Sequence, residues 1–391
     1  MEALWVVVPT GQRASGEWID DTLRRRAEES GLLARTPLAG KFPRQRVEVV
    51  RGADPVEEVN DLFEARGWTD GLPVTPPTLA RVEAAWAATA RAPSEVLGEV
   101  EPLRGEATVE KVAANAVMAG CRPEHFPVVL AAVEALLDPA FNMRGVQTTD
   151  ENVAPLLIVS GPLAARLGLN AGFGALGPGW RANASIGRAV RLVMLNLGGG
   201  WPGAVSLAGL GQPGRYTLCL AERADSPWPA LHVELGYRPE QSTVTVLRAE
   251  TAINVTGGLP EVASVMASAA SAFTMLHEGR VAVVVAPFVA RRLAAEGWSK
   301  DDVRRRLHAE ARVPAAAWQS WWLRATARQW PAWIQQAEAS GALPVVKEPG
   351  DITVVVAGAD LAIPQLAYFP SWGFPPCRVT REIAAPLDLI G

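Results

Sequence analysis

Hydrophobic positions along the chain form short apolar runs that alternate with amphipathic stretches of helical spacing. The runs at residues 4–8, 156–159 and 281–286 are bounded by turn residues and predict buried strands. Proline follows two of these runs, at Pro162 and Pro287, and is expected to open a short helix in each case. Strands that alternate with helices in this way predict an α/β fold.

The order of elements recurs within the chain. A helix opened by Pro127 precedes the first strand-to-helix unit and a helix opened by Pro260 precedes the second, so corresponding prolines lie 125–133 residues apart. Residues 352–358 are interpreted as a weaker third copy. The recurrence predicts two pseudo-symmetric strand-to-helix halves, with chance similarity of Ala- and Val-rich segments as the alternative. A ligand site is expected where the carboxyl ends of the strands meet.

The chain divides into three predicted parts: a small N-terminal segment, a first α/β half with the candidate site, and a second α/β half with a Trp-rich helical cluster. Their bounds are residues 1–52, 53–215 and 216–391. The first part is βαβ-like, because a polar helix at 17–31 separates strands at 4–8 and 46–50. A β-rich block makes the sheets mixed, with strands predicted at residues 216–221, 232–235 and 243–247.

Composition and charge narrow the class of protein. The 391 residues are 49% hydrophobic and 20% charged, which excludes a disordered or fibrous chain. The net charge is −4 and no run of five or more basic residues occurs, so neither nucleic acid nor an anionic membrane is expected as the main partner. An acid at Glu2 and apolar runs too short to span a bilayer predict neither export nor membrane insertion, and therefore a cytoplasmic protein.

Motifs for common metals and cofactors are missing from the sequence. The four histidines lack H-x-H and H-E-x-x-H spacing, and the three cysteines form no C-x-x-C pair, so no metal site is predicted, although carboxylate-bound Mg²⁺ stays open. The Gly-rich stretch at residues 174–183 is neither a Walker A loop nor a Rossmann fingerprint. We therefore predict no tightly bound organic cofactor.

Several segments of the chain resemble a poorly characterised bacterial family. The resemblance covers roughly residues 53–310, and its segments are GWTDGLPV at 67–74, ANAVMAGC at 114–121, RANASIGRA at 181–189, GQPG at 211–214 and SPWPALH at 226–232. In relatives, such domains are associated with a UGSC-type partner domain, named for a U/C-Gly-Ser-Cys motif that carries selenocysteine or cysteine. This chain contains no Cys-Gly-Ser-Cys. The resemblance thus implies redox chemistry supplied by another protein, or a different activity, and it assigns no catalytic residue.

Cys121 is the most specific candidate for a nucleophile. It follows a helix that ends near Gly120, beside Arg122, and His125 lies four residues further on as a nearby base. A preceding helix C-terminus disfavours the thiolate while Arg122 favours it, so the sequence leaves the direction of the pKa shift open. A buried, inert cysteine is the alternative.

Glu222 and His232 are the candidate acid–base pair. Glu222 follows a predicted strand, where a carboxylate is well placed for proton transfer, and His232 comes after a Pro-rich corner. Together with Cys121 they would form a nucleophile and an acid–base set. Structural hydrogen bonding by both residues is the alternative.

The candidate substrate-binding residues come from polar loops and a helix start. The loop at 142–150 combines amide, guanidinium and hydroxyl groups suited to a carboxylate or phosphate, with a solvated loop as the alternative. Residues at the start of the helix predicted at 184–197 would bind an anion there, or simply cap the helix. The rigid loop at 68–78 would present two further residues. The full set is Trp68, Asp70, Asn142, Arg144, Gln147, Thr148, Thr149, Asn183, Arg188 and Trp228.

Tryptophan is unusually frequent, with 14 residues against 9 Phe and 3 Tyr. Four of them stand beside Gly/Pro turns and are predicted to wall the cleft, namely Trp68, Trp180, Trp201 and Trp228. Five form a second cluster that predicts a lid or a homo-oligomer interface, namely Trp318, Trp321, Trp322, Trp330 and Trp333.

These features together predict an enzyme that acts on a small anionic or acyl-type organic molecule by lyase or hydrolase chemistry. The alternative is a non-catalytic ligand-binding or assembly subunit that works with a redox partner. A small-molecule substrate and a homo-oligomer are expected in the first case.

Overall fold

The computed structural model describes residues 2–10, 46–268, 274, 278–314, 317, 331–338, 340–373 and 375–384. The strands are β1 (Glu2–Val7), β2 (Val47–Gly52), β3 (Val96–Val100), β4 (Gly105–Thr108), β5 (Ala154–Ser160), β6 (Cys219–Ala221), β7 (Thr243–Ala249), β8 (Ile253–Thr256), β9 (Val281–Val285), β10 (Arg312–Pro314), β11 (Ala342–Pro344), β12 (Ile352–Val356), β13 (Gln365–Phe369) and β14 (Val379–Glu382). The helices are α1 (Pro55–Ala65), α2 (Leu79–Trp86), α3 (Val109–Met118), α4 (Phe126–Leu136), α5 (Met143–Thr148), α6 (Leu163–Arg166), α7 (Arg181–Asn196), α8 (Leu231–Glu234), α9 (Leu259–Met266), α10 (Pro287–Ala295), α11 (Lys300–Glu310) and α12 (Ala332–Glu338).

Two four-stranded mixed sheets have the same topology. The first runs β6-β5-β7-β14 and the second runs β12-β9-β13-β8. In each, the first two strands are parallel and the remaining neighbours are antiparallel. The α/β class and the two pseudo-symmetric halves predicted from the sequence are confirmed.

The two sheets exchange their fourth strands. β8 follows β7 along the chain but pairs with β13 of the second sheet, and β14 follows β13 but pairs with β7 of the first. The two halves are therefore joined by crossing strands as well as by packing.

The sheets pack face to face between two layers of helices. Alternate residues such as Leu156 and Ile158 of β5 share one core with Val284 of β9. The opposite face of the first sheet, which carries Leu157, packs on α3, α4 and α7, and the opposite face of the second packs on α9, α10 and α11. Because β5 and β9 are covered on both faces, their sequences are continuous apolar runs.

Three sequence predictions need correction. The third copy at residues 352–358 is β12, the parallel neighbour of β9 and the counterpart of β6. The predicted strand at 232–235 is the short helix α8, because a short apolar run does not distinguish a helical turn from a strand. The N-terminal segment is not βαβ-like, because β1 and β2 pair antiparallel and a βαβ unit needs parallel strands; the helix predicted at 17–31 lies outside the described residues.

The sheets also do not follow the division predicted at residue 216. β6, β7 and β14 lie in the segment 216–391 and pair in the first sheet with β5. The two halves are therefore interleaved along the chain.

In the described part of the chain, no single helix is long and apolar enough to cross a membrane. One pair of helical segments, Pro123–Leu136 and Pro139–Thr148, has the length and composition of a membrane span when taken together, but it is bent by 74°. Of the second tryptophan cluster, Trp333 packs against the core of the second half. The other four tryptophans lie outside the described residues, and the lid or homo-oligomer stays a prediction.

Candidate functional site

A cleft of about 540 Å³ opens beside the first half, between the loop after α1, the helix α7 and the segment that leads into β6. The side chains that line it include two arginines, one carboxylate and a run of apolar and aromatic residues. They are Thr69, Asp70, Arg191, Leu195, Trp201, Pro202, Ala208, Leu210, Gln212, Pro213, Arg215 and Tyr216.

Asp70 and Arg188, two of the predicted binding residues, meet at one side of this cleft and bind each other. Arg188 donates from Nε to Asp70 Oδ2 and from Nη2 to Oδ1, both at 2.8 Å. Arg188 also donates to the carbonyl oxygens of Leu72 and Pro73, which holds the loop in place. The Asp70 side chain is only 3% exposed, so its charge is matched by a buried bidentate partner.

Arg191 lies one turn further along α7, and sequence reasoning missed it. Arg191 is 6% exposed, and its Nε donates to the backbone carbonyl of Arg215 at 2.6 Å. Its Nη2 is buried and has no hydrogen-bond partner among the described residues. Arg215 in turn donates from Nη2 to Ser206 Oγ at 2.9 Å. Within the described ranges, neither arginine forms an ion pair with a carboxylate.

The two guanidinium groups therefore form an unbalanced positive site. Burial, followed by the charge of Arg215, lowers the pKa of Arg191 to about 9, and burial lowers the pKa of Arg215. A buried charge without a counter-ion is unfavourable, and an anion that enters from solution would relieve the penalty.

Local sequence explains how the arginines come together. Arg188, Arg191 and Leu195 recur at helical spacing and share one face of α7. A glycine at position 187 lets the segment before β6 cross close to that helix, because a Cβ there would lie 2.3 Å from Thr217 Oγ1. This close crossing brings the Arg215 carbonyl within reach of Arg191.

The rest of the cleft is apolar. Leu195 and Trp201 are buried at its inner wall, and the Trp201 indole N–H donates to the Gly67 carbonyl at 2.7 Å. At the mouth, the Leu210 side chain is 95% exposed and Tyr216 is about half exposed. The cleft thus has a cationic part and an apolar part.

The loop at the mouth is anchored beside a pair of carboxyl groups. Gly211 N–H donates to Asn152 Oδ1 at 2.7 Å, and Gln212 Nε2 donates to the Asn152 carbonyl at 2.9 Å. The adjacent Glu151 and Glu250 side chains interact, and burial, followed by the charge of Glu151, raises the pKa of Glu250 to about 8.

Glu222 and His232 lie together in the interior, and both contact Ser160 at the carboxyl end of β5. Ser160 Oγ donates to Glu222 Oε2 at 2.6 Å and lies 2.8 Å from His232 Nδ1. Sequence reasoning missed Ser160, although its position before a Gly-Pro turn at the end of a buried strand was a usable signal. All three side chains are buried.

A buried lysine completes this network. Lys300 at the start of α11 lies 3.1 Å from Glu222 Oε1 and 3.1 Å from Glu234 Oε2. Glu234 also pairs with Arg304. The network ties the first sheet to α8 and α11, so it joins the two halves.

Cys121 lies elsewhere, beside Ser185 and Arg181 at the start of α7. Burial raises the pKa of its thiol to about 12, which removes the thiolate at neutral pH. Among the described residues, it has no hydrogen bond or ion pair with Glu222 or His232. His125 Nδ1 accepts from the Arg122 backbone N–H at 3.3 Å.

The loop predicted as an anion site is a helix turn held by its own side chains. Asn142 caps α5 by accepting from the Gly145 N–H at 3.1 Å, and Thr148 Oγ1 donates to the carbonyl of Arg144. The other predicted binding residues of this loop form hydrogen bonds or ion pairs with neighbouring backbone or carboxylate groups. Arg144 pairs with Glu101, Gln147 Nε2 donates to the Glu101 carbonyl, and Thr149 Oγ1 accepts from the Glu151 N–H.

The other predicted binders also have structural partners. Asn183 does not cap α7 but links two backbone segments, since it accepts from the Asn170 N–H at 2.7 Å and donates to the Cys219 carbonyl at 3.3 Å. Trp68 packs in the core against Phe63, with ring centroids 5.3 Å apart. Trp228 is buried in the second core. Of the four tryptophans assigned to the cleft, only Trp201 lines it.

In the described part of the chain, no three His, Cys, Asp or Glu side chains are grouped so that they could hold a metal ion. Comparison with known proteins found no family model that matches the chain and no curated protein that matches it significantly.

Proposed function

We propose that the protein binds a small organic anion in the cleft beside α7. The observation that carries the proposal is the arginine pair Arg191 and Arg215: both residues line the cleft, and the buried Nη2 of Arg191 has no hydrogen-bond partner among the described residues. A guanidinium fork matches the oxygens of a carboxylate or phosphate, and hydrogen bonds to such charged groups are the stronger ones. The proposal keeps the predicted substrate class, a small anion, and moves its recognition to Arg191 and Arg215.

The test is a calorimetric titration of the full chain with propionate and with inorganic phosphate. Arg191→Met is expected to weaken binding of whichever anion binds by at least 10-fold, since the charged contact contributes about 1.5–3 kcal/mol. Arg238→Met is the matched control, because Arg238 lies at the surface and pairs with Glu240. Equal affinity in the Arg191 variant and the wild type would contradict the proposal.

Hydrolysis of an ester or thioester is a second candidate function, favoured by the contact between Ser160 Oγ and His232 Nδ1. Ser160 Oγ would add to the carbonyl carbon while its proton passes to Glu222 Oε2, to which the hydroxyl already donates, and Glu222 would then protonate the leaving alkoxide or thiolate. Water would release the acyl group by the reverse proton route. Cys121 has no part in this scheme because, among the described residues, it has no hydrogen bond or ion pair with Glu222 or His232.

Turnover of p-nitrophenyl esters and short acyl thioesters tests this second candidate. Ser160→Ala and His232→Asn are expected to reduce turnover by at least 100-fold, with unfolding curves recorded to confirm that each variant folds. Retained turnover in folded Ser160→Ala would exclude the serine as the nucleophile. Anion binding without any turnover would leave the non-catalytic binding subunit as the function.

A further inference from the structure

We infer that the anion bound in this cleft carries an aromatic group, and that the ligand is an arylalkyl carboxylate or phosphate. The inference rests on the proposed anion binding and specifies the part of the ligand that the arginines do not contact.

The size of the cleft exceeds what an inorganic ion needs. At about 540 Å³ it falls within the range of about 300–1,000 Å³ typical of pockets for organic molecules. A bare phosphate or acetate at Arg191 would leave most of this volume to water, in contact with apolar side chains.

The apolar part begins one helical turn from the charge. Leu195 follows Arg191 by four residues on the same face of α7, which places it about 6 Å further along the helix axis. Trp201 adds an aromatic wall beside it, and its indole N–H is already bound to Gly67. A ring joined to the anionic group by two or three bonds would reach this wall.

The mouth of the cleft exposes apolar surface that such a ring would cover. Leu210 is almost fully exposed, and Tyr216, which also lines the cleft, is about half exposed. Contiguous exposed apolar side chains around a pocket are typical of binding surfaces. Leu210 stands between Gly209 and Gly211 on the loop anchored to Asn152, so it is held at the mouth.

The probes for this inference are five compounds titrated into the full chain by calorimetry. They are 3-phenylpropionate, 2-phenylethyl phosphate, propionate, inorganic phosphate and the neutral 3-phenyl-1-propanol. We expect at least one aromatic anion to bind 10-fold or more tightly than its non-aromatic counterpart and than the neutral alcohol. The preferred member of the two aromatic anions identifies the oxyanion as carboxylate or phosphate.

Two variants locate the aromatic group. Leu195→Gln is expected to weaken binding of the aromatic anion by about 10-fold and to leave the affinity for the small anion unchanged. Leu210→Ser, at a position that is 95% exposed, is expected to weaken binding of the aromatic anion by about threefold.

Each other outcome has a separate meaning. Equal affinities for aromatic and small anions would overturn this inference and leave the proposed anion binding intact. Equal affinities for both aromatic anions and for 3-phenyl-1-propanol would overturn the anion proposal and leave an apolar site. Absence of binding by all five compounds would overturn both.

Discussion

Arg191 donates from Nε to the backbone carbonyl oxygen of Arg215 at 2.6 Å, and this contact holds two guanidinium groups at one cleft. The nearest acid, Asp70, is already occupied by Arg188 through two hydrogen bonds of 2.8 Å. One buried and one half-buried positive charge thus remain without a carboxylate partner in the described part of the chain. Such an arrangement is unfavourable for stability and favourable for binding an anion.

This contrast predicts opposite stability effects for two arginines on the same helix. Arg191→Met should stabilise the unliganded protein by about 1 kcal/mol, because it removes an unpaired buried charge at the loss of one hydrogen bond. Arg188→Met should destabilise it by about 3 kcal/mol, because it leaves Asp70 buried and unpaired. Urea unfolding measures both. Similar destabilisation by both variants would show that Arg191 has a structural role.

The carboxyl pair at the mouth predicts a stability that depends on pH. Burial, and then the charge of Glu151, raise the pKa of Glu250 to about 8, above the value of about 4.3 in the unfolded chain. The folded state therefore holds an extra proton, and its contribution to stability is present at acid pH and is lost as the pH rises to 8.

Glu250→Gln should remove this loss and stabilise the protein at pH 8 by about 2 kcal/mol, after allowance for solvent screening. Thermal unfolding of the variant and the wild type between pH 5 and pH 9 measures this difference in stability. Glu296→Gln, at an exposed carboxylate, is the control and should follow the wild type. Parallel pH profiles of Glu250→Gln and the wild type would refute a protonated Glu250.

The buried lysine predicts a large effect of one substitution. Lys300→Met should destabilise the protein by about 3–5 kcal/mol, because Glu222 would remain buried without its cation. Lys347→Met is the matched control, since Lys347 is half exposed and pairs with Glu278 at 3.7 Å; it should change stability by about 0.5 kcal/mol or less. A small effect of Lys300→Met, measured by urea unfolding, would mean that the network does not join the halves.

Cys121 is expected to be unreactive in the folded protein. With the pKa of its thiol raised to about 12, the thiolate fraction at pH 8 is about 10⁻⁴, so alkylation by iodoacetamide should be at least about 100-fold slower than for a free thiol. Mass spectrometry of the labelled peptide measures the rate. Rapid labelling of Cys121 in the native protein would restore it as a candidate nucleophile.

Local sequence patterns were sufficient for the buried strands and for several helix starts. The apolar runs of β5 and β9, and the prolines at 162 and 287, carry their structural meaning in adjacent residues. The exchange of β8 and β14 could not be predicted, because strand pairing between the halves depends on packing and not on the composition of either short strand.

The candidate site was predictable only in part. Asp70 and Arg188 were both singled out, but the sequence does not show that they neutralise each other across 118 residues. The sequence around Arg191 does not distinguish it from the other polar residues of α7. Its importance arises from the crossing of the Arg215 segment over position 187, which is a tertiary feature.

Binding of an arylalkyl anion in the cleft is tested most directly by a crystal structure of the protein with 3-(4-bromophenyl)propionate, located by the anomalous signal of bromine. We expect the carboxylate within hydrogen-bond distance of the guanidinium groups of Arg191 and Arg215, and the bromine in the apolar part of the cleft near Leu195 and Trp201. A ligand bound outside the cleft, or a cleft that stays empty when solution binding is saturated, would contradict this expectation.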